Sequence, residues 1–123
     1  MGSRWWWRAM VGSNIAIKGN FEMKKMTLYI NTLNKVLQGI CNELERIATG
    51  ADSPWSSSVL TDVIRPEIEE LLDYADKGEI FFKYGKKQRL LQATYIMIDS
   101  LQPLFQTDLG QSISALQKLY YHL

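Results

Sequence analysis

The stretch that decides the fold is residues 26–47, which read MTLYINTLNKVLQGICNELERI. Apolar residues recur in it at alternating steps of four and three, which places them on one side of an α-helix. These residues are Met26, Ile30, Leu33, Leu37, Ile40, Leu44 and Ile47. A helix with one apolar stripe needs other helices to cover it, so the pattern predicts a helical bundle.

The first helix is expected to run from about Lys24 to Thr49 and to end at Gly50, because glycine favours the left-handed turn that terminates helices. The one cysteine of the chain, Cys41, follows Ile40, and we expect it to be a buried, small apolar side chain. A single cysteine excludes an internal disulfide and a zinc site built on cysteines.

A second helix is expected between Ser58 and Lys77, with an interruption at Pro66, because proline removes a backbone hydrogen bond and clashes with the preceding turn. Several carboxylates follow Pro66, and we expect them to form a solvated face that also stabilises the helix N-terminus. They are Glu67, Glu69, Glu70 and Asp73. Gly78 is expected to end this helix.

A third helix is predicted over about Glu79–Gln102, and a short extended segment at Glu79–Tyr84 is the alternative for its start. Its buried side is expected to combine aliphatic and aromatic residues. These are Ile80, Phe81, Tyr84, Leu91, Tyr95, Ile98 and Leu101. A fourth helix should begin at a capping box formed by Asp108 and Gln111. The chain is therefore predicted to be all-α, an antiparallel four-helix bundle whose second helix is broken at its proline.

The first part of the chain differs from the rest. Residues 1–22 contain the sequence RWWWR at positions 4–8 and show no helical repeat, so we interpret them as a leader that comes from an expression tag or from translated upstream DNA. Residues 23–123 are then a single helical-bundle domain. The leader holds three of the 14 basic and one of the 13 acidic residues, which leaves the domain with a net charge of −1.

The composition also limits the function classes. A near-neutral domain argues against a dedicated nucleic-acid-binding protein, which needs a surplus of Lys and Arg. No apolar run approaches the roughly 18 residues of a transmembrane helix, so we predict no membrane span and expect a cytoplasmic location by default.

No residue set has the pattern of a catalytic, metal or cofactor site. The one histidine, His122, lacks an orienting partner nearby in the sequence, and the serines at 56–58 have no histidine to activate them. We therefore predict that the protein is not an enzyme and uses no metal, cofactor or small-molecule ligand. A carboxylate-based enzyme, which requires a cluster of carboxylates drawn together between helices, is the weaker alternative.

Adjacent aromatic pairs are the feature that a buried core does not explain. In Phe81-Phe82 and Tyr120-Tyr121, helical neighbours point about 100° apart, so one member of each pair leaves the buried stripe. Exposed aromatics are favoured at protein interfaces. We therefore predict that the chain binds another protein, or a second copy of itself, as an adaptor, secretion chaperone or immunity protein. The expected partner-binding residues are Trp55, Phe82, Lys83, Lys86, Lys87, Arg89 and Tyr121.

The basic group between Lys83 and Arg89 leaves one alternative open. Cations interleaved with aromatic residues bind single-stranded nucleic acid through backbone contacts and base stacking. A helical protein that binds nucleic acid through this group is therefore the second hypothesis.

Residues 90–123 carry short runs that resemble the flagellin-export chaperones. These runs are LQA at 91–93, IM at 96–97 and LQKLYY at 116–121. The resemblance implies a four-helix bundle that binds a protein. It covers about a quarter of the chain, and the helix expected at 24–49 has no obvious counterpart in that family.

Overall fold

A computed structural model describes the backbone of residues 13–82, 85, 89–100 and 103–123, and the side chains in these ranges from Lys24 onward except Pro103. The described part of the chain is helical and contains no strand, which confirms the predicted all-α four-helix bundle. Helix α1 covers Ser13–Ala48, and α2 is continuous from Ser57 to Asp76. Helix α3 covers Gln92–Ser100, a 3-10 turn covers Pro103–Gln106, and α4 covers Asp108–Tyr121. None of the helices in these ranges is long and apolar enough to cross a bilayer.

Helix α1 begins at Ser13, before the expected Lys24, and ends at Ala48, with the predicted Gly50 in the turn that follows it. The backbone N–H of Ala51 donates to the carbonyl of Arg46 at 2.9 Å, and Gly50 adopts a φ of 86°. Glycine reaches this left-handed conformation without the steric cost of a Cβ atom, which explains why the helix stops there.

The buried side of α1 is rotated relative to the predicted stripe. Its fully buried residues are Tyr29, Leu33, Val36 and Ile40. The other members of the predicted stripe, Met26, Ile30, Leu37, Leu44 and Ile47, are only partly buried. The reason is that both α2 and α4 pack on α1, so the covered arc includes Tyr29 and Val36. The expectation that Cys41 is buried is wrong, because it points about 100° away from Ile40 and is exposed.

Helices α1 and α4 run antiparallel. The ring of Tyr120, near the end of α4, stacks on that of Tyr29 with 6.4 Å between centroids. Leu109, at the start of α4, lies against Gly39, where a Cβ atom would come within 3.0 Å of the Leu109 side chain. Glycine at position 39 therefore lets the two helices approach closely at this end.

Pro66 changes the hydrogen bonding of α2 without ending the helix. Residues Leu60–Ile64 form a π-helical turn, in which the N–H of Arg65 donates to the carbonyl of Leu60, five residues earlier. In an α-helix the proline ring clashes with the carbonyl four residues before it, and a wider turn relieves that clash. The predicted break is thus a change from π-helical to α-helical hydrogen bonding. Pro66 lies in the first turn of the α-helical part, Arg65–Asp76.

The two ends of α2 agree with the sequence prediction. The Ser56 hydroxyl accepts a hydrogen bond from the N–H of Val59 at 3.5 Å and acts as the N-cap. Gly78 adopts a φ of 80°, and the N–H of Glu79 donates to the carbonyl of Tyr74 at 2.9 Å. This is the same glycine-terminated arrangement that ends α1.

The third helix predicted over Glu79–Gln102 is wrong in its first half. Helix α3 begins only at Gln92, and the described residues between α2 and α3 are not helical. Gly85 adopts a φ of 87°, which a helix does not permit. The carbonyl of Phe81 accepts a hydrogen bond from the Tyr120 hydroxyl at 2.7 Å, a long-range bond in place of a helical one. The alternative, a short extended segment at Glu79–Tyr84, agrees with the structure only in that its described residues 79–82 are not helical.

The start of α4 is organised around the hydroxyl of Thr107. It accepts hydrogen bonds from the Gly110 N–H at 2.9 Å and from the indole N–H of Trp55 at 3.1 Å. It donates to the carbonyl of Leu104 at 2.7 Å. The N-cap is therefore Thr107, and the predicted capping box starting at Asp108 is wrong by one residue. A Cβ atom on Gly110 would lie 1.8 Å from the Leu104 oxygen, so only glycine fits there.

The burial of α1 can be tested at two neighbouring positions. Ile40→Asp places a charge in the fully buried core, and we expect it to abolish the cooperative thermal unfolding transition. Cys41→Asp is the matched control, because this side chain is exposed, and it should shift stability by less than about 0.5 kcal/mol. Circular dichroism melts measure both. Similar melts for the two variants would contradict the assigned face of α1.

Candidate protein-binding surface

The buried carboxylate of Glu67 fixes the start of α3. Its side chain is 4% exposed, and its two oxygens accept hydrogen bonds from the N–H groups of Gln92 at 2.7 Å and Ala93 at 3.0 Å. The first N–H groups of a helix lack partners within the helix, and a negative charge near them is favourable. The expectation that Glu67 belongs to a solvated face is therefore wrong. It caps a helix that lies 25 residues further along the chain.

A sequence signal for this role exists. Glu67 follows Ile64 by three residues and precedes Leu71 by four, so it falls on the buried stripe of α2. The residues just before α3, Arg89, Leu90 and Leu91, include no short polar side chain that caps a helix locally. A carboxylate on an apolar stripe, together with a later helix that has no local cap, indicates that the carboxylate caps that helix.

The segment that leads into α3 is also attached to α4. The Gln117 amide accepts a hydrogen bond from the Leu91 N–H at 2.7 Å and donates to the Arg89 carbonyl at 2.6 Å. The Arg89 guanidinium donates to the Tyr121 carbonyl at 2.8 Å and lies 4.9 Å from the centroid of the Phe82 ring. Backbone and side chain of this segment are thus held on the end of α4.

The structure brings together three of the predicted partner-binding residues: Phe82, Arg89 and Tyr121. Phe82 is half-buried against the ring of Tyr120, with 5.3 Å between centroids, whereas Tyr121 is exposed. The expectation that Trp55 is an exposed anchor is wrong, because its ring is buried and its N–H bonds to a hydroxyl near the start of α4. The remaining predicted residues, Lys83, Lys86 and Lys87, lie outside the described residues, as do Tyr84 and Leu101.

The outer face of α3 and the following turn exposes large apolar side chains. Tyr95 is 62% exposed, Ile98 is 53% exposed, and Phe105 on the 3-10 turn is 42% exposed. We call these three residues the α3 face. The prediction that Tyr95 and Ile98 are buried is wrong, because α3 turns Ala93 and Met97 toward the core instead. Tyr95 and Ile98 are three residues apart and therefore neighbours on the helix surface.

An open depression of about 380 Å³ adjoins the first turn of α3. Its lining residues are Asp62, Val63, Pro66, Glu67, Glu70 and Gln92. Gln92 precedes Tyr95 by three residues, so the depression lies beside the α3 face. Asp62 and Glu70 bring an exposed and a half-buried carboxylate to this edge of the surface, whereas the Glu67 carboxylate is buried and hydrogen-bonded to the start of α3. In the described part of the chain, no three His, Cys, Asp or Glu side chains are placed to hold a metal ion.

Comparison with protein-family models, with curated proteins and with solved structures found no match to this chain.

The cap on α3 can be tested by changing one carboxylate. Glu67→Gln keeps the side-chain size but replaces one acceptor oxygen by an N–H donor and removes the charge, so we expect a loss of about 2–4 kcal/mol in unfolding free energy. Glu69→Gln on the same helix is the control. It alters only an exposed ion pair with Arg65, at 3.4 Å, which is worth about 0–1 kcal/mol. Urea unfolding measures both, and equal losses would refute the cap.

Two neighbouring tyrosines give a second test. The Tyr120 hydroxyl donates to a carbonyl, so Tyr120→Phe should cost about 0.5–1.5 kcal/mol. The Tyr29 hydroxyl is buried and has no hydrogen-bond partner among the described residues, so Tyr29→Phe should be neutral or stabilising by about 1 kcal/mol.

Burial raises the pKa of Tyr29 well above its ordinary value, and Tyr120 and Glu67 add to this shift. The unfolded chain therefore loses this proton first, and the contribution of Tyr29 to stability falls as the pH rises through about 10. Tyr29→Phe should reduce this alkaline loss in pH-dependent urea unfolding. A Tyr29→Phe protein less stable than Tyr120→Phe at neutral pH would contradict these assignments.

Proposed function

We propose that this protein is a non-catalytic helical bundle that binds another protein through the α3 face. The observation that carries the proposal is the exposure of Tyr95, Ile98 and Phe105 on one short helix and the turn after it. Neighbouring exposed apolar side chains, such as Tyr95 and Ile98 one helical turn apart, are typical of interaction sites on a folded domain, whereas single ones are common on any surface.

The distribution of exposed apolar residues supports this surface over others. The other large exposed apolar residues in the described ranges are Leu28, Leu90 and Tyr121. These three lie on different elements, whereas the α3 face has its members within eleven positions of the chain. Helix α3 packs against the π-helical turn, the 3-10 turn and α4, and none of the described helices covers its exposed residues Tyr95 and Ile98. Tyrosine and phenylalanine there are side chains that interfaces favour.

The attachment of α3 supports a preformed surface. Glu67 holds its first N–H groups, and Gln117 holds the residue before it. A surface that is already ordered loses less conformational freedom when a partner binds, so more of the contact energy appears as affinity. The surface therefore suits a binding role that requires no rearrangement.

The biological role proposed is that of an adaptor, a secretion chaperone or an immunity protein, acting in the cytoplasm. Each of these acts by holding another protein. A second copy of this chain is the competing occupant of the surface. The nucleic-acid alternative gains no support from Arg89, because its guanidinium is bonded to the Tyr121 carbonyl and stacked on Phe82.

Affinity capture from a lysate of the source cells, with matched baits, tests the proposal. We expect the wild-type chain to capture a stoichiometric protein and the Tyr95→Ser/Ile98→Ser variant to retain less than about a tenth of it, since central apolar contacts dominate interfaces. Leu28→Ser is the control, because it removes an equally exposed apolar residue from α1 and should leave capture unchanged. Equal capture by all three folded baits would contradict the α3 face as the binding site.

A further inference from the structure

We infer that the partner presents an amphipathic helix whose apolar stripe is flanked by lysine or arginine. This inference rests on the proposed function and adds the chemistry of the partner. It follows from the exposed carboxylates of α3 and of the elements packed against it, Asp62, Asp99 and Asp108.

The α3 face lies in a stretch of chain without cations, which begins after Arg89, whose guanidinium is bonded at the end of α4. Between Leu90 and Gln117 the sequence has two acidic residues, Asp99 and Asp108, and no lysine, arginine or histidine. Both carboxylates are exposed. Asp99 lies four residues after Tyr95 on α3, so the two side chains are neighbours on its outer side. Asp108 is in the first turn of α4, just beyond the 3-10 turn that holds Phe105.

The elements packed against α3 continue this pattern. The π-helical turn contributes Asp62 and no basic residue, and its carboxylate lines the depression beside Gln92. In the adjoining part of α2, Arg65 forms an ion pair with Glu69 at 3.4 Å. On α4 the basic residue is Lys118, which is exposed on the side opposite the buried Leu116. Negative charge therefore borders the apolar side chains.

This combination fits one class of partner best. Apolar residues about one helical turn apart match the stripe of an amphipathic helix, and an acidic border attracts cations beside that stripe. The same border repels phosphate, which disfavours nucleic acid and anionic membranes. A second copy docked through the same face would bring two acidic borders together, because a two-fold interface joins identical patches.

The inference is tested with two synthetic peptides and the full chain. Each peptide has about 18 residues, so that a helix can form, with leucine at helical spacing on one side. One peptide has lysine at the flanking positions, and its twin has glutamate. We expect the lysine peptide to bind at least about tenfold more tightly by fluorescence anisotropy, with a preference that shrinks as salt rises.

Three variants separate the possible outcomes. Asp62→Asn/Asp99→Asn should reduce the preference for the lysine peptide several-fold. Tyr95→Ser/Ile98→Ser should weaken the binding of both peptides, and Leu28→Ser should change the binding of neither.

If the glutamate peptide binds as tightly as its twin, the basic partner is refuted and apolar docking at the α3 face stands. If neither peptide binds while the α3 face still captures a protein from lysate, only this inference fails. A wild-type dimer in sedimentation that Tyr95→Ser/Ile98→Ser dissociates would overturn it in favour of a second copy.

Discussion

The hydrogen bonds from the start of α3 to the Glu67 carboxylate are the interaction on which the presentation of the binding surface depends. Helix α3 has nine residues, too few to be stable in water without tertiary contacts. Three of its residues are buried, Ala93, Thr94 and Met97, and two of these have small side chains. The two charge-assisted hydrogen bonds from Gln92 and Ala93 therefore supply much of what holds this helix in place.

Burying a carboxylate has a cost, which its partners offset. An ionised group removed from water destabilises a protein unless hydrogen bonds or charges compensate it. At Glu67 the compensation comes from two backbone donors at the positive end of α3. Glu67 follows Pro66 directly, so it lies in the first turn of the α-helical part of α2. It also lines the depression beside α3. One residue thus links the irregular turn of α2, the orientation of α3 and the charge beside its exposed face.

Features set by local chemistry could be predicted from the sequence, and features set by distant partners could not. The helices end next to Gly50 and Gly78, and the helix pattern changes near Pro66. Both features follow from backbone conformations that a short stretch of sequence determines. The burial of Trp55 depends on a hydroxyl 52 residues away, and the start of α3 depends on a carboxylate 25 residues away. Periodicity contains no information about either partner.

The sequence does not reveal the exposed surface for a related reason. Tyr95 and Ile98 have the spacing of a buried stripe, and a stripe in a sequence does not show whether another helix covers it. In the described part of the chain α3 contacts the π-helical turn, the 3-10 turn and α4, and two of its apolar residues, Tyr95 and Ile98, are exposed.

The most direct test of the central claim is amide hydrogen exchange at Gln92 and Ala93, measured by NMR. We expect slow exchange at both, because each N–H donates to a buried carboxylate, although the first N–H groups of a helix usually exchange quickly. In Glu67→Gln this protection should fall at least about tenfold, while the amides of Leu33 and Ile40 in the core of α1 stay protected. Exchange at Gln92 and Ala93 as fast as in an unfolded chain, in the wild-type protein, would show that the Glu67 carboxylate does not hold the start of α3.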